Sequence, residues 1–349
     1  MANYKTILWG TGVLGSQVAR VLSMKSSVQL TGGIVHSSDK AGQDLGKICG
    51  VSQGIGVETS NDAKKILNEV EADVALIATQ ASKFFRGSYE ENLAQILLAL
   101  EAKKNVITTT GFLYPWKTVP DIAEKIDSTA KKNGVTFFGT GLNPGFLSDT
   151  LILFLTGPLV RIDRIKVRDM EDMTMYNSVP ILRDMLGYGL TPEAFQAGAA
   201  QRFTDYMTDL YTECIHFVTD PLGVEDIEIR ADLQSFTTAK TLKTVCTDIL
   251  PGTIASHVFV VEGLIKGESF MTIDYGAKVC PDDVPEGGPL GQTIEIEGRP
   301  SVKFDLQGDL VERGILSTAG QVINAIPHVV AAPPGIITRR ELPIFSPIR

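Results

Sequence analysis

At 349 residues, with 44% hydrophobic and 21% charged side chains, the chain has the composition of a globular protein and is long enough for two domains rather than one core. A formal net charge of −9 excludes general affinity for nucleic acid, which rests on Lys and Arg neutralising phosphate charge. No apolar run reaches membrane-spanning length, since ILSTAGQVINAIPHVVAA is broken by Gln321, Asn324, Pro327 and His328, and MANYKTILWG carries no basic leader; a cytoplasmic protein without membrane or nucleic acid partners is expected.

The first predicted element is a strand at residues 6–9, followed at once by GTGVLG and a helix over 13–23. Gly10, Gly12 and Gly15 thus form GxGxxG between a strand and a helix, the context in which that spacing has a mechanism. Gly10 permits the tight turn, Gly12 lets backbone approach a pyrophosphate, and Gly15 allows close packing of helix on strand. With Thr11, Val13 and Leu14 they make the expected phosphate loop, the helix N-terminus adding free N–H groups and a positive dipole end.

The second strand, 28–35, runs into HSSDK. An NAD site usually places Asp or Glu there, about twenty residues on from the loop, to bind the ribose 2′-OH. Here His36, Ser37 and Ser38 occupy the place and Lys40 follows. Hydroxyls with a cation suit a 2′-phosphate, so NADP(H) is expected to be preferred and NAD(H) accepted.

Further strands are predicted at 74–79, 106–109 and 135–139, with helices over 61–69, 87–103 and 119–132. The clearest helix repeats Leu93, Ile96, Leu97 and Leu100 at three- and four-residue steps. Such alternation predicts a parallel sheet covered on both faces. Ligands of open α/β sheets lie beyond the carboxyl ends of the strands, so Thr79, Gln80, Thr110, Asn143 and Pro144 are expected to border a nicotinamide.

After residue 157 the pattern changes. RDMEDMTMYNSVP gives way to helical stretches over 182–195 and 204–210. Alternating segments follow, TTAKTLKTVCTDI, SHVFVVEGLIKGESFMTIDYGAKV and TIEIEGRPSVKFDL, which read as antiparallel strands. A final helix over 309–330 stops at Pro333, Pro334 and Gly335. The expected fold is α/β: a Rossmann-type parallel sheet at 1–156, an α+β domain with a mostly antiparallel sheet at 157–308, helices first and sheet second, and a C-terminal helix and tail at 309–349 returning to the first domain. Cys49, Cys214, Cys246 and Cys280 lie far apart with no CxxC pair, which predicts neither a metal site nor a disulfide framework.

The segments GTGVLGSQVA, VHSSDKAGQDLG, DVALIAT, TTTGFLYPW and GTGLNPGFLSD together resemble the 2,4-diaminopentanoate dehydrogenases and native amine dehydrogenases, themselves distant relatives of dihydrodipicolinate reductase. Weaker echoes occur in GLTPEAF and AGQVINAIPHVVAAPPGI. The resemblance implies a Rossmann cofactor domain, a second domain that forms a homodimer through its sheet, and hydride transfer between NAD(P)H and a C=N or C=O carbon of a small molecule. It also implies a glutamate in the loop matching TTTGFLYPW, and here the chain departs: residues 105–120 contain no Asp or Glu, and Gly111 and Phe112 stand near that place. The segment HHxxKxDxPSGT of dihydrodipicolinate reductase is absent as well.

Reductive amination needs a group that takes a proton from ammonia and steadies a cationic iminium, work suited to a buried carboxylate. Without one in the loop, three readings stay open: a carboxylate from the second domain substitutes, the enzyme reduces a carbonyl or preformed imine without ammonia, or the chain is an inactive NADPH-binding sensor. Candidate proton carriers are Tyr114 in the loop and Asp169 and Tyr176 in RDMEDMTMY, a segment that also holds Glu171 and Asp172. Phe112, Trp116 and Arg168 are the expected pocket residues. His216 and His257 sit in apolar surroundings and read as core or strand residues.

Overall fold

Residues 3–348 are described by a computed structural model. The chain folds into two compact units, Met1–Phe146 with Gly314–Arg349, and Leu147–Arg313. The first boundary falls earlier than the expected 156, and the second lies close to the expected 308.

Unit 1 opens with β1 (Tyr4–Trp9), α1 (Val13–Leu22) and β2 (Val28–Ile34), followed by the short α2 (Leu45–Ile48) and β3 (Thr59–Ser60). Then come α3 (Ala63–Glu69), β4 (Val74–Ile77), α4 (Ser82–Arg86), α5 (Glu90–Glu101), β5 (Asn105–Thr108), α6 (Pro120–Asn133) and β6 (Thr136–Gly139). The helix expected over 87–103 begins later than predicted, because Gly87, at φ +78°, ends α4 in a left-handed turn before α5 starts.

Unit 2 contains α7 (Thr150–Thr156), β7 (Arg161–Asp172), a π-helical turn at Pro180–Met185, α8 (Pro192–Gly198) and α9 (Ala200–Thr219). Strands β8 (Glu228–Thr237), β9 (Leu242–Lys243), β10 (Asp248–Ile249), β11 (Ile254–Ile265), β12 (Glu268–Lys278), β13 (Gly291–Arg299) and β14 (Val302–Leu306) complete it. The chain then returns to unit 1 through α10 (Gly314–Ala331) and β15 (Gly335–Ile337).

The unit 1 sheet has the order β15-β6-β5-β4-β1-β2-β3, with every pairing parallel. Its strands are buried on both faces, which is why β4 reads as an unbroken apolar run, VALI. One layer joins Leu8, Val18 and Leu22 to Val322, Ile323 and Ile326 of α10, and the other gathers Ile7, Ile96, Leu100, Phe112 and Phe137. β1 lies between β2 and β4, where the strand order reverses, and such switch points are where open α/β sheets bind ligands.

The unit 2 sheet has the order β14-β13-β7-β12-β11-β8, antiparallel except for the β12–β7 pair. The expected sequence of helices followed by sheet is corrected here. β7 precedes α8 and α9 and sits inside the sheet between β13 and β12, because Ile165, Val167 and Asp169 share an inward face despite the charges around them. Strand β8, where Ile229, Ala231 and Leu233 alternate with charged and polar neighbours, is absent from the predicted elements although this alternation is the pattern of a half-buried strand. α9 covers the inner face, with Phe203 edge-on to Phe259 and Tyr211 tilted against Tyr275.

Among the described residues no helix is long and apolar enough to cross a membrane. The four cysteines are free thiols.

Candidate active site

The glycine loop has the backbone geometry its spacing requires. Gly10 sits at φ +106°, and a Cβ there would lie 2.6 Å from the Ala78 carbonyl oxygen, so both conformation and neighbour demand glycine. A Cβ on Gly15 would lie 2.0 Å from the Gly10 carbonyl oxygen, the close helix-on-strand approach expected of the third glycine. Gly12 differs: a Cβ there meets nothing within 4 Å. As N-cap of α1 it offers no side-chain hydrogen bond, so the first-turn N–H groups have no side-chain cap. A diphosphate fits this cradle. Val13 is exposed and Thr11 half-buried, while Leu14 packs against the core.

Beyond β2, His36 and Ser38 are exposed and Ser37 is half-buried. The Ser37 hydroxyl donates to the carboxylate of Asp39, which holds that carboxyl below its usual range. Asp39 lies within HSSDK, yet its contact with Ser37 is a turn interaction that strand-end spacing does not signal. Lys40 places its Nζ 3.4 Å from Thr11 Oγ1, so a cation reaches the glycine loop.

Later strand ends are more constrained than expected. Thr79 donates to Gln95 Oε1 at 2.7 Å, and Asn92 Nδ2 donates to the Gln80 carbonyl at 3.0 Å; the side chain of Gln80 is exposed. Asn92 and Gln95 lie on α5, at positions helical periodicity assigns to no site. Thr110 is corrected: it is 1% exposed and its hydroxyl pairs with Thr108 at 2.8 Å, so it is spent on the turn rather than on a ligand. Asn143 and Pro144 are half-buried in a turn closed on itself, where a Cβ on Gly145 would lie 2.2 Å from the Gly141 nitrogen.

In the FLYPW loop the expected pocket role of Phe112 is corrected. At 1% exposure its ring packs against Tyr89 and Phe137 in the core, and it adopts φ +62°. Its carbonyl backs onto Gly139, where a Cβ would lie 2.3 Å away. Tyr114 is half-buried with the Arg340 guanidinium 4.4 Å above its ring, a partner contributed from beyond β15 and invisible to local reading. Trp116 is half-buried in the same loop.

In unit 2 the candidate residues separate by strand parity. Arg168 and Asp169 are consecutive on β7 and so point to opposite faces. Arg168 donates to the carbonyls of Gly287 and Pro289 and lines an outer-face groove with Lys166, Thr293, Glu295 and Lys303, which corrects its assignment to a pocket with Asp169. Asp169 is 1% exposed on the inner face, with Glu171 following two residues on.

The Tyr275 hydroxyl donates to Glu171 Oε2 at 3.3 Å. Burial, aided by the charge of Asp169, pushes the Glu171 carboxyl up to about 8. Tyr176 lies within the field of Glu171, and burial chiefly pushes its phenol up to about 12. Asp169 thus shares the inner face with Glu171, and Tyr176 lies within range of the Glu171 charge. Tyr188, Tyr275 and Gln292, which sequence reasoning does not single out as site residues, join them; the available signal is that Gln292 shares parity with Ile294 and Ile296, and Tyr275 with Ile273.

His257 is a core residue. It bonds to Ser235 and Leu186 and stacks on Tyr188, and burial lowers its imidazole to about 4, which keeps it neutral. His216 lies 3.4 Å from Asp220 at the end of α9.

Comparison with known proteins agrees with this geometry. Residues 146–349 match the family profile described as 2,4-diaminopentanoate dehydrogenase C-terminal domain, and residues 4–138 match that of the dihydrodipicolinate reductase N-terminus. The chain is 27% identical to an amine dehydrogenase of Streptomyces virginiae, covering 97% of this chain and 96% of that one. It is 26% identical to the 2,4-diaminopentanoate dehydrogenase of Acetoanaerobium sticklandii, covering 99% and 94%. The solved amine dehydrogenase of Mycobacterium smegmatis superposes with a TM-score of 0.81 at 25% identity, over 98% and 97% of the two chains. A glycine cradle shaped for a dinucleotide and a profile match over more than half the chain lead to one conclusion: the chain belongs to the 2,4-diaminopentanoate dehydrogenase family and is a nicotinamide-dependent oxidoreductase of the amine dehydrogenase type.

Proposed function

We propose that this enzyme prefers NADP(H) to NAD(H) and acts, as a cytoplasmic homodimer, on a C=O or C=N carbon of a small and largely apolar substrate. The observation that carries the cofactor preference is Lys40, whose Nζ reaches Thr11 of the glycine loop beside Ser37 and Ser38. When bound, the cofactor supplies or takes the hydride at its nicotinamide ring. Gly10 shapes the turn, its own N–H being bonded to the Ile34 carbonyl at 2.9 Å, while Thr11, Gly12, Val13, Leu14 and Gly15 hold the diphosphate through backbone N–H groups, and His36, Ser37, Ser38 and Lys40 take the far ribose. Thr79, Gln80, Asn143 and Pro144 border the nicotinamide end. Tyr114, Asp169 and Tyr176 are the proposed proton carriers, and Trp116 supplies apolar pocket surface.

Asp39 opposes a 2′-phosphate by like charge and Lys40 favours it, which makes the preference testable residue by residue. Lys40→Ala is expected to weaken NADPH binding about tenfold, the worth of a charge-assisted hydrogen bond, with NADH little changed. Asp39→Asn is expected to strengthen NADPH relative to NADH. Fluorescence titration of both nucleotides checks this, and tighter NADH than NADPH binding by the unaltered enzyme overturns the preference.

Whether ammonia takes part is tested by following NADPH oxidation over a ketone panel with and without ammonium chloride. The buried Phe112 in place of a loop carboxylate favours a second reading, reduction of a carbonyl or preformed imine without ammonia. Turnover that ignores ammonium selects that reading; dependence on ammonium selects amination.

A further inference from the structure

The inner face of the unit 2 sheet carries polar groups that packing does not explain. Residues paired directly across strands share a face, so one row runs Phe259, Tyr275, Asp169 and Gln292 across β11, β12, β7 and β13. The adjacent row runs His257, Ala277 and Glu171. Gln292 is 2% exposed, and both polar atoms of its side chain are buried without a hydrogen-bond partner. The fully buried Tyr188 hydroxyl is likewise unpartnered, and it lies in the field of Glu171. Each such group left unmade destabilises the fold, whereas a leucine at 292 would extend the apolar stripe of Ile294 and Ile296 at no such cost.

These groups share one chemistry. Two carboxylates, an amide oxygen and phenol oxygens supply acceptors on one face, the Gln292 amide N–H2 being a donor that a cation does not serve, and the carboxylates repel each other where water is scarce. A small cation bearing three or four N–H donors answers both needs. A quaternary cation without N–H groups would relieve the repulsion and leave the amide and phenol oxygens unbonded, and a metal ion, which such oxygens can coordinate, finds no group of three or more His, Cys, Asp or Glu side chains to hold it among the described residues. Glu171 is only half-buried, so such a cation has a way in.

We propose that Asp169, Glu171, Gln292 and Tyr188 form a binding site for ammonium or a protonated primary amine. This rests on the amine dehydrogenase reading above. The raised value of Glu171 fits the role: near neutrality its carboxyl holds a proton that is released when the cation binds, so cation in and proton out keep the charge balanced. The titratable groups facing Glu171 are Asp169 on the same strand, Tyr176 beyond it, Tyr188, and Tyr275 on β12.

The test uses the full chain and two readouts. The thermal midpoint is measured in ammonium, methylammonium, tetramethylammonium and sodium chlorides at equal ionic strength, for the unaltered protein and for Glu171→Gln, Asp169→Asn and Gln292→Leu. Ammonium and methylammonium are expected to raise the midpoint, sodium and tetramethylammonium to leave it unchanged, and each variant to lose the ammonium response while binding NADPH as before. In turnover, Glu171→Gln is expected to raise KM for ammonium at least about tenfold with KM for the ketone unchanged.

Variants that keep the native far-UV spectrum and the full ammonium response overturn the proposal, as does a tetramethylammonium response equal to that of ammonium. If the two carboxylate variants do not fold, Gln292→Leu decides alone, since it removes an unpartnered polar group from an apolar stripe and should not unfold the sheet. An enzyme that turns over no ketone defeats the functional reading, while the midpoint measurement still judges the site.

Discussion

Two glycines of one loop predict opposite outcomes for the same added methyl. Gly12 adopts φ −74°, which alanine tolerates, and its Cβ would enter open space. Gly12→Ala should therefore fold with an almost unchanged thermal midpoint and lose at least about tenfold in NADPH affinity, because the methyl stands where diphosphate approaches. Gly15→Ala drives its methyl into the Gly10 carbonyl and should lower both the midpoint and the affinity. Calorimetry with nucleotide titration separates the two, and a Gly12→Ala protein with native affinity would remove the diphosphate from this loop. The same logic explains why the missing loop carboxylate cannot be restored in place. Phe112→Glu would bury a carboxyl between Tyr89 and Phe137, and it is expected to unfold unit 1 rather than to create amination activity, as circular dichroism would show.

At the scale of elements, β7 shows what period-two reading can and cannot supply. RDMEDMTMY displays its acids openly, but a dense charge run hides its alternation, so local reading puts Arg168 and Asp169 in one pocket although a strand must send them to opposite faces. By contrast the β1–α1 turn is legible in full, since its glycines act through local backbone geometry. The partners of Glu171 come from β12 and from beyond β7, separations that no local pattern encodes. Their coupling predicts a pH dependence. Glu171, raised to about 8, contributes stability that is present below the ordinary carboxylate value and is lost as pH climbs through about 8. His257, lowered to about 4, contributes stability that is present above the ordinary imidazole value and is lost as pH falls through about 4. Glu171 lowers the thermal midpoint as pH rises from 4.5 to about 8, and His257 raises it from about 4 to 6.5, so the two offset each other over the shared range and a net fall is left between 6.5 and about 8. In Glu171→Gln that fall should disappear and the rise due to His257 should show through up to 6.5; an unchanged fall between 6.5 and about 8 would mean that Glu171 titrates as an ordinary surface acid.

Across the whole chain, unit 1 is built from two segments far apart in sequence. Its sheet is completed by β15, which adds to β6 in parallel register, and the face carrying Leu8, Val18 and Leu22 is covered by Val322, Ile323 and Ile326 of α10. The proline and glycine that follow α10 signal its end, and its apolar periodicity signals a buried face, but the sheet it covers had to be found in the fold. Removing this segment uncovers a continuous apolar layer, and burial of each such side chain is worth about 1.5–3 kcal/mol, so the loss is comparable with the ~5–15 kcal/mol by which a domain is stable. A chain ending at Arg313 keeps every residue of the glycine loop and all of unit 2. It is expected nonetheless to lose NADPH binding and the cooperative thermal transition of unit 1, because α1, whose N-terminus is the proposed diphosphate site, rests on α10. Scanning calorimetry with nucleotide titration measures both. Native NADPH affinity in the shortened chain would mean that residues 1–146 fold as an independent cofactor domain and that α10 is an accessory to it.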